Sequence, residues 1–476
     1  MEVTWVAPVA ILVTLVLLLR PRWRASIARA AVFSLPFGSI ALVNFHHVPP
    51  YFGVGLDRYF CSLLILAGLC GDERSLSTRH RVLFAASIWP FWGAVLLSLG
   101  GAILLSGRQV VAFTFEPVPM FYETDVHLGA QNLIKTVELL LHLAVFSAFV
   151  RILPRMGFYT AARIYVASCT VLALSAVLDV LFPMGAVWAF LKNNISYSNA
   201  AGVIEGWFGE PRASGLAVEP SHVPIYCMGA ICVLLGFWTH SMHLYASKLD
   251  VLVAGTLVTA ALVSFSPSLL AGLACMCAFI LGRFRKVKWR PVVALPLTLV
   301  VLSWFVYDFL GISYWRIIAN TLLGKFGLPV EEGPYSEFRV LSAQAMVQAF
   351  SYSPVIGIGW GTILHQVGWP LLLLAWTGLV GLGSFMIFLY ACVRNALKEF
   401  RNLSDARALA AKGGFLMACI TLLVMTFPTK GPYLFFQMNS MFLLASSYGP
   451  VSRRRSSPAP ACSHGGGDFT TEKLLR

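Results

Sequence analysis

Charge is what this chain lacks most. Of its 476 residues only 12% are charged while 58% are hydrophobic, and acidic side chains are outnumbered by lysine and arginine, 21 to 35. A water-soluble globular protein carries about a quarter charged residues and cannot leave so much apolar surface uncovered, so a soluble enzyme is excluded. Cysteines in long polar loops are scarce too, because nine of the ten lie in or beside apolar runs. Neither structural disulfides nor a thiolate metal site is therefore expected: Cys275-x-Cys277 sits in an apolar run without partner ligands, and His46-His47 is too sparse for a metal. The chain also lacks the polarity of a signal peptide. Its first apolar run, Val6 to Leu19, has no basic residue before it and Arg20, Arg22 and Arg24 just after it, which reads as a retained membrane anchor.

What is present is a succession of apolar runs, each long enough to read as a membrane helix, since backbone amides in lipid must be satisfied within their own segment. The expected fold class is all-α: a polytopic transmembrane bundle of about thirteen helices, with spans near 4–19, 26–43, 52–70, 82–106, 133–150, 164–186, 223–239, 249–264, 267–282, 291–311, 369–391, 413–429 and 434–449. The eighth and ninth meet at Ser264-Phe265-Ser266-Pro267-Ser268, where a broken or re-entrant hairpin is the alternative. Basic residues accumulate on the cytoplasmic side of short loops. With the N-terminus outside, all but nine of the 35 fall inside; the nine are Arg58, Arg108, Lys135, Lys192, Arg212, Arg316, Lys325, Arg339 and Lys430. Residues 1–450 are thus expected to form one membrane domain, and 451–476 a disordered cytoplasmic tail.

The net charge of +14 invites a nucleic-acid reading, but the cations cluster at inner helix ends, where anionic lipid headgroups take them up. Membrane lipid, not nucleic acid, is the expected partner. Three long segments fall outside, at about 107–132, 192–222 and 312–368, while the inner loops are short. Function should therefore face the extracytoplasmic side. That side has no nucleotide pool, so a transferase there needs a donor delivered in activated, lipid-linked form.

Two outer stretches carry the candidate chemistry. The first is Arg212-Ala-Ser-Gly-Leu-Ala-Val-Glu-Pro-Ser-His222. One reading is a helix start, with Ser221 accepting a backbone amide, Pro220 at the helix entrance and Glu219 complementing the dipole. The other adds Arg212 as a fork for phosphate oxygens, with Glu219 or His222 beside a reacting hydroxyl. The dipole lowers the basicity of Glu219, so orienting Arg212 or binding sugar hydroxyls suits it as well as proton transfer. The second stretch holds Arg316, Lys325 and Arg339, then Ser353-Pro-Val-Ile-Gly-Ile-Gly-Trp-Gly361 and His365. Gly357, Gly359 and Gly361 permit close backbone approach, and their amides can cradle an oxyanion; a tight turn anchored at the membrane interface by Trp360 and Trp369 is the alternative. The spacing does not match a dinucleotide fingerprint. His365 has the unperturbed pKa of a general base. On the fifth helix Lys135, Glu138 and His142 share a face, which reads as structural glue or part of a substrate path, glue being favoured. Asp57-Arg58, Asp179 and Asp308 are open to both readings.

Taken together, Arg212-x-x-Gly215 with Glu219-Pro-Ser221, Arg339 upstream of Pro354-x-x-Gly357-x-Gly359-x-Gly361, and Gly378-Leu-Val-Gly381 resemble the O-antigen ligase and polymerase superfamily of bacterial polysaccharide assembly. The resemblance covers roughly 190–390 and implies a GT-C-like bundle in the bacterial inner membrane with its active face periplasmic. It implies that Arg212 and Arg339 hold the pyrophosphate of an undecaprenyl-linked sugar donor; Arg316 lies outside the motifs and joins them by position only. Ligases of the superfamily commonly carry a His-Asn pair about eleven residues before the Gly-x-x-Gly element. Here Val367-Gly368 stands near that place, with His365-Gln366 offset from it. The implied activity is that of a polymerase, moving a growing glycan from its lipid pyrophosphate to a sugar hydroxyl of another lipid-linked repeat unit. Glu219 and His365 are the candidate bases, and no metal or cofactor is required. A ligase serving another acceptor and a lipid-linked oligosaccharide flippase are the alternatives. A flippase and a chain-length regulator of the same pathway are the implied partners.

Overall fold

The structure, a computed structural model, describes residues 1–45, 52–70, 78–114, 120–182, 187, 190–194, 213–264, 266, 268–283, 334–363, 368–401, 403, 405–426 and 438–448. The expected span 291–311, the tail 451–476 and the site candidates Arg212, Arg316 and His365 lie outside the described residues, as does the side chain of Arg339.

The described residues are mostly helical. The helices are α1 (Val6–Leu18), α2 (Trp23–Ser34), α3 (Leu56–Leu69), α4 (Thr78–Leu104), α5 (Ala130–Met156), α6 (Phe158–Leu181), α7 (His222–Trp238), α8 (Ser247–Val263), α9 (Ser268–Arg283), α10 (Pro334–Tyr352), α11 (Trp369–Arg401), α12 (Ala406–Thr426) and α13 (Met438–Tyr448). Four of them, α5, α6, α11 and α12, are long and apolar enough to cross a membrane. At a rise of 1.5 Å per residue, the 21 residues of α12 reach about 32 Å, just over the thickness of a hydrocarbon core. Helices α1, α4 from Ile88 onward and α7 are apolar but shorter.

The all-α expectation needs a correction at the N-terminal end. The apolar run 26–43 is helical only to Ser34, and the run 52–70 becomes helical only at Leu56. Between them the chain forms β2 (Ala41–Phe45) and β3 (Phe52–Gly55), and β2 also pairs with β1 (Glu2–Val3) in one antiparallel sheet, with Val3 opposite Val43 and Asn44 opposite Gly53. Leu35 keeps helical backbone, but Pro36 has no amide hydrogen with which to continue the helical bonding, and an apolar run of strand length looks like a helix end when periodicity is the only guide. A second hairpin, β4 (Gln109–Thr114) with β5 (Met120–Asp125), follows α4.

Helix α7 is the centre of the bundle. It is buried from His222 through Phe237, as a helix apolar on every side must be. It lies along α12 at a small-residue contact: a Cβ on Gly236 would come within 2.5 Å of the Ala410 carbonyl oxygen and 2.6 Å of Gly414 Cα. Helix α13 is likewise buried from end to end. The outer faces of α1, α5, α6 and α11 instead expose large apolar side chains, among them Leu12, Val137, Leu174 and Ile387. Apolar surface on this scale suits a lipid-facing wall.

Candidate functional site

Helix-terminal segments gather at the two ends of the bundle, and both candidate stretches lie at the same end. The first is held by its backbone. The amides of Ser214 and Gly215 donate to Asp179 Oδ2 at 3.2 and 3.1 Å, the Leu216 amide donates to Ser175 Oγ at 2.9 Å, and Ser39 Oγ donates to the Leu216 carbonyl at 2.6 Å. Asp179 and Ser175 belong to the last turns of α6. Gly215 has φ +48°, and a Cβ there would overlap Ser175 and the Ala176 amide, so close approach to α6 requires glycine. Lys192 Nζ donates to Ser214 Oγ at 2.6 Å. Burial lowers the pKa of Lys192, and the carboxylate of Asp179 opposes that shift.

The helix start at Ser221 differs from the capping expected of it. The Ser221 hydroxyl accepts no backbone amide of α7 and donates instead to Glu219 Oε2 at 3.0 Å. The first turn is closed by backbone bonds, with the His222 and Val223 amides donating to the carbonyls of Glu219 and Pro220. His222 is buried at the start of α7 and Glu219 is half-buried. Held by the Ser221 hydroxyl, the Glu219 carboxylate is placed to orient a partner.

The glycine stretch lies across α4, α5 and α11. Gly357, Gly359 and Gly361 have φ of +75°, +112° and +75°. The amides of Ile358 and Gly359 donate to the carbonyls of Ala375 and Trp376, and those of Leu379 and Val380 donate back to Pro354 and Val355. Gly378, with φ 63° and ψ −166°, interrupts α11 to allow this exchange. The Gly357 amide donates to the Ser353 carbonyl, and the Trp360 amide donates to Ser98 Oγ at 3.1 Å. The amides of residues 357–360 are therefore spent inside the protein rather than cradling an oxyanion. The three glycines serve close packing instead: a Cβ on Gly359 would reach Ala102 Cβ at 2.6 Å, and one on Gly361 would reach Lys135 Cβ at 2.8 Å. The indoles expected at the membrane interface are core residues, Trp360 being 2% and Trp369 5% exposed. Trp360 packs edge-on to Trp376 at 5.1 Å.

A polar cluster lies beside the glycine stretch. Asn132 Nδ2 donates to the Trp360 carbonyl at 2.8 Å, one turn before Lys135. Lys135 Nζ lies 2.9 Å from Glu138 Oε2, and Arg58 Nη2 lies 3.1 Å from Glu138 Oε1. The neighbouring carboxylate of Asp57 lies against Gly38 and Gly55, and Gly38 precedes the Ser39 that binds Leu216. The stripe Lys135, Glu138 and His142 is thus inward-facing, with His142 buried one turn beyond Glu138. Sequence reasoning named Arg58, Lys135 and Lys192 among the scarce outer cations but assigned none of them to the site. Their scarcity was the usable signal.

At the same end, Glu2, Val3, Thr4, Trp5, Asn44, Phe190 and Asn193 line a cavity of about 350 Å³. The rings of Trp5 and Phe190 stack at 4.9 Å with a 4° interplanar angle. No protein-family model matches the chain, and no curated protein matches it either.

Proposed function

We propose that the protein is an extracytoplasmic polysaccharide polymerase: a GT-C-like, thirteen-span enzyme of the bacterial inner membrane that transfers a growing glycan from undecaprenyl pyrophosphate to a sugar hydroxyl on a lipid-linked repeat unit. One observation carries the reading. Two stretches about 140 residues apart pack at the same end of the bundle, residues 214–216 against the last turns of α6 and residues 357–361 against the first turns of α5 and the end of α4. The described contacts also fit the alternation of charge: the outer-loop residues Asn193, Asn194 and Leu216 bond to Ala41, Gly38 and Ser39, while Tyr245 and Leu244 of an inner loop bond to Arg163 and Tyr159.

In the reaction, the acceptor hydroxyl oxygen attacks the anomeric carbon of the donor glycan, and the carbon–oxygen bond to the pyrophosphate breaks with its electron pair leaving on phosphate oxygen. Arg212 and Arg339 stabilise that developing charge, with Arg316 as a positional third. Lys192, two residues from Arg212 through its bond to Ser214, adds a cation. The hydroxyl proton goes to His365, while Glu219, held by Ser221, orients the sugar. Gly357, Gly359 and Gly361 set the path of the chain between Arg339 and His365, and His222 fixes the first turn of α7. The aromatic and amide-lined cavity suits an acceptor sugar ring.

Purified protein given one lipid-pyrophosphate-linked repeat unit as sole substrate should build a ladder of products and release polyprenyl pyrophosphate. A requirement for lipid A core or a protein acceptor would make it a ligase. Movement of the lipid across vesicles without bond formation would make it a flippase.

A further inference from the structure

The opposite end of the bundle holds a second cluster that the proposed reaction does not use. Tyr159, at the start of α6, has the Arg163 guanidinium carbon 5.9 Å from its ring centre and that of Arg407, at the start of α12, at 5.4 Å. Arg163 also lies 5.2 Å from the centre of the Tyr245 ring. Both phenols are fixed from behind: Tyr159 donates to the Leu244 carbonyl at 2.9 Å, and Tyr245 donates to the Arg163 carbonyl at 2.6 Å. Two exposed guanidiniums are thereby held over one rigid aromatic platform, no more than about 11 Å apart. Lys412 stands 4.9 Å from the centre of the adjacent Phe158 ring, and the first turn of α6 contains no acid.

The described acids at this end have other contacts. Asp250 accepts from the amides of Leu244 and Tyr245 at 3.0 and 2.9 Å and from His243 Nδ1 at 3.2 Å. Glu399 faces Lys412, and Asp405 Oδ1 accepts the Arg407 amide at 3.0 Å. Among the described residues, no carboxylate pairs with the guanidinium of Arg163 or Arg407. Guanidiniums stay charged at any physiological pH, and their donors match phosphate oxygens. A phosphodiester between them would need the two guanidinium carbons only about 8 Å apart, a small adjustment of two exposed side chains.

We propose that Arg163 and Arg407 clamp the phosphodiester of an anionic phospholipid where α6 and α12 begin, with Tyr159 and Tyr245 as the platform. The lipid is the source the surroundings favour, since these residues begin two helices long and apolar enough to cross a membrane. The site stands whether or not the protein makes glycosidic bonds.

The test compares lipid retained by the purified full-length protein, read by native mass spectrometry, and thermal unfolding in nanodiscs of phosphatidylcholine with and without phosphatidylglycerol. Phosphatidylglycerol should be retained and should raise the unfolding temperature of the wild type. Its affinity should fall about fivefold for R163Q or R407Q and about 30-fold for the pair, while R108Q, an exposed cation at the other end, should behave as wild type. R163K/R407K should recover part of the binding, which excludes misfolding as the cause. Should the double variant not fold, R407Q alone decides, since Arg407 is exposed. Equal phosphatidylglycerol effects in wild type and R407Q would overturn the site, and stabilisation by inorganic phosphate as large as by the lipid would overturn the lipid as its ligand.

Discussion

Gly357 offers the most direct test of how the second candidate stretch is built. Its φ of +75° costs a residue with a Cβ about 1–2 kcal/mol, and that Cβ would overlap the Trp376 carbonyl carbon and the Thr377 nitrogen. Relief requires the segment to lift from α11, which strains the bonds from the Ile358 and Gly359 amides to Ala375 and Trp376, each contributing about 1 kcal/mol. Gly357→Ala should therefore destabilise by about 3–4 kcal/mol. Gly383, also on α11, is the matched control: a Cβ there meets nothing within 4 Å, so Gly383→Ala should be neutral or stabilise by up to about 1 kcal/mol through helix propensity. Thermal unfolding of the two variants in one detergent measures the difference. If Gly357→Ala unfolds with Gly383→Ala, the stretch does not pack as described and cannot position the residues on either side of it.

Glu138 holds two cations while its side chain is only 23% exposed. Glu138→Gln should cost about 1–3 kcal/mol, and Arg58→Met in the same chain should recover part of it; a Glu138→Gln protein as stable as wild type would show that this ion cluster does not hold α3 to α5. Because burial lowers the Lys192 pKa, the folded protein binds that proton less tightly than the unfolded chain does, and this residue's contribution to stability rises with pH between the lowered value and the ordinary lysine value of about 10.4. In the same window the ammonium is lost, so donor KM should climb at alkaline pH, and Lys192→Arg should flatten that climb; an unchanged alkaline limb would separate Lys192 from the donor. Trp5→Ala opens the aromatic wall of the 350 Å³ cavity and should raise acceptor KM about tenfold with little change in unfolding temperature, whereas an unchanged KM would leave the cavity out of the reaction.

Much of the helical layout was legible because burial in lipid or in protein imposes the same unbroken apolar composition on a helix. The runs 133–150, 164–186 and 223–239 correspond to α5, α6 and α7. The same logic over-extended the runs at 26–43 and 52–70, since β2 is as apolar as a helix end and its pairing with residues 2–3 is visible only in three dimensions. Local spacing revealed the Lys135–Glu138 pair, three residues apart, but not its continuation to Arg58, 80 residues from Glu138. Alternate glycines correctly signalled close backbone approach. They did not reveal that the approach is to α4, α5 and α11, which consumes the amides otherwise suited to an anion. Trp360 and Trp369 read as interfacial anchors because indole is common in both places, and only the fold decides between them.

Release of polyprenyl pyrophosphate from a lipid-linked repeat, followed in purified wild type, Arg212→Lys, Arg339→Lys and the double variant, tests the pyrophosphate clamp most directly. If both guanidiniums grip the leaving group, each lysine substitution should slow release about tenfold or more, and the pair should slow it by less than the product of the two, because both act on one group. Release at the wild-type rate in either single variant, with membrane insertion intact, would contradict the clamp.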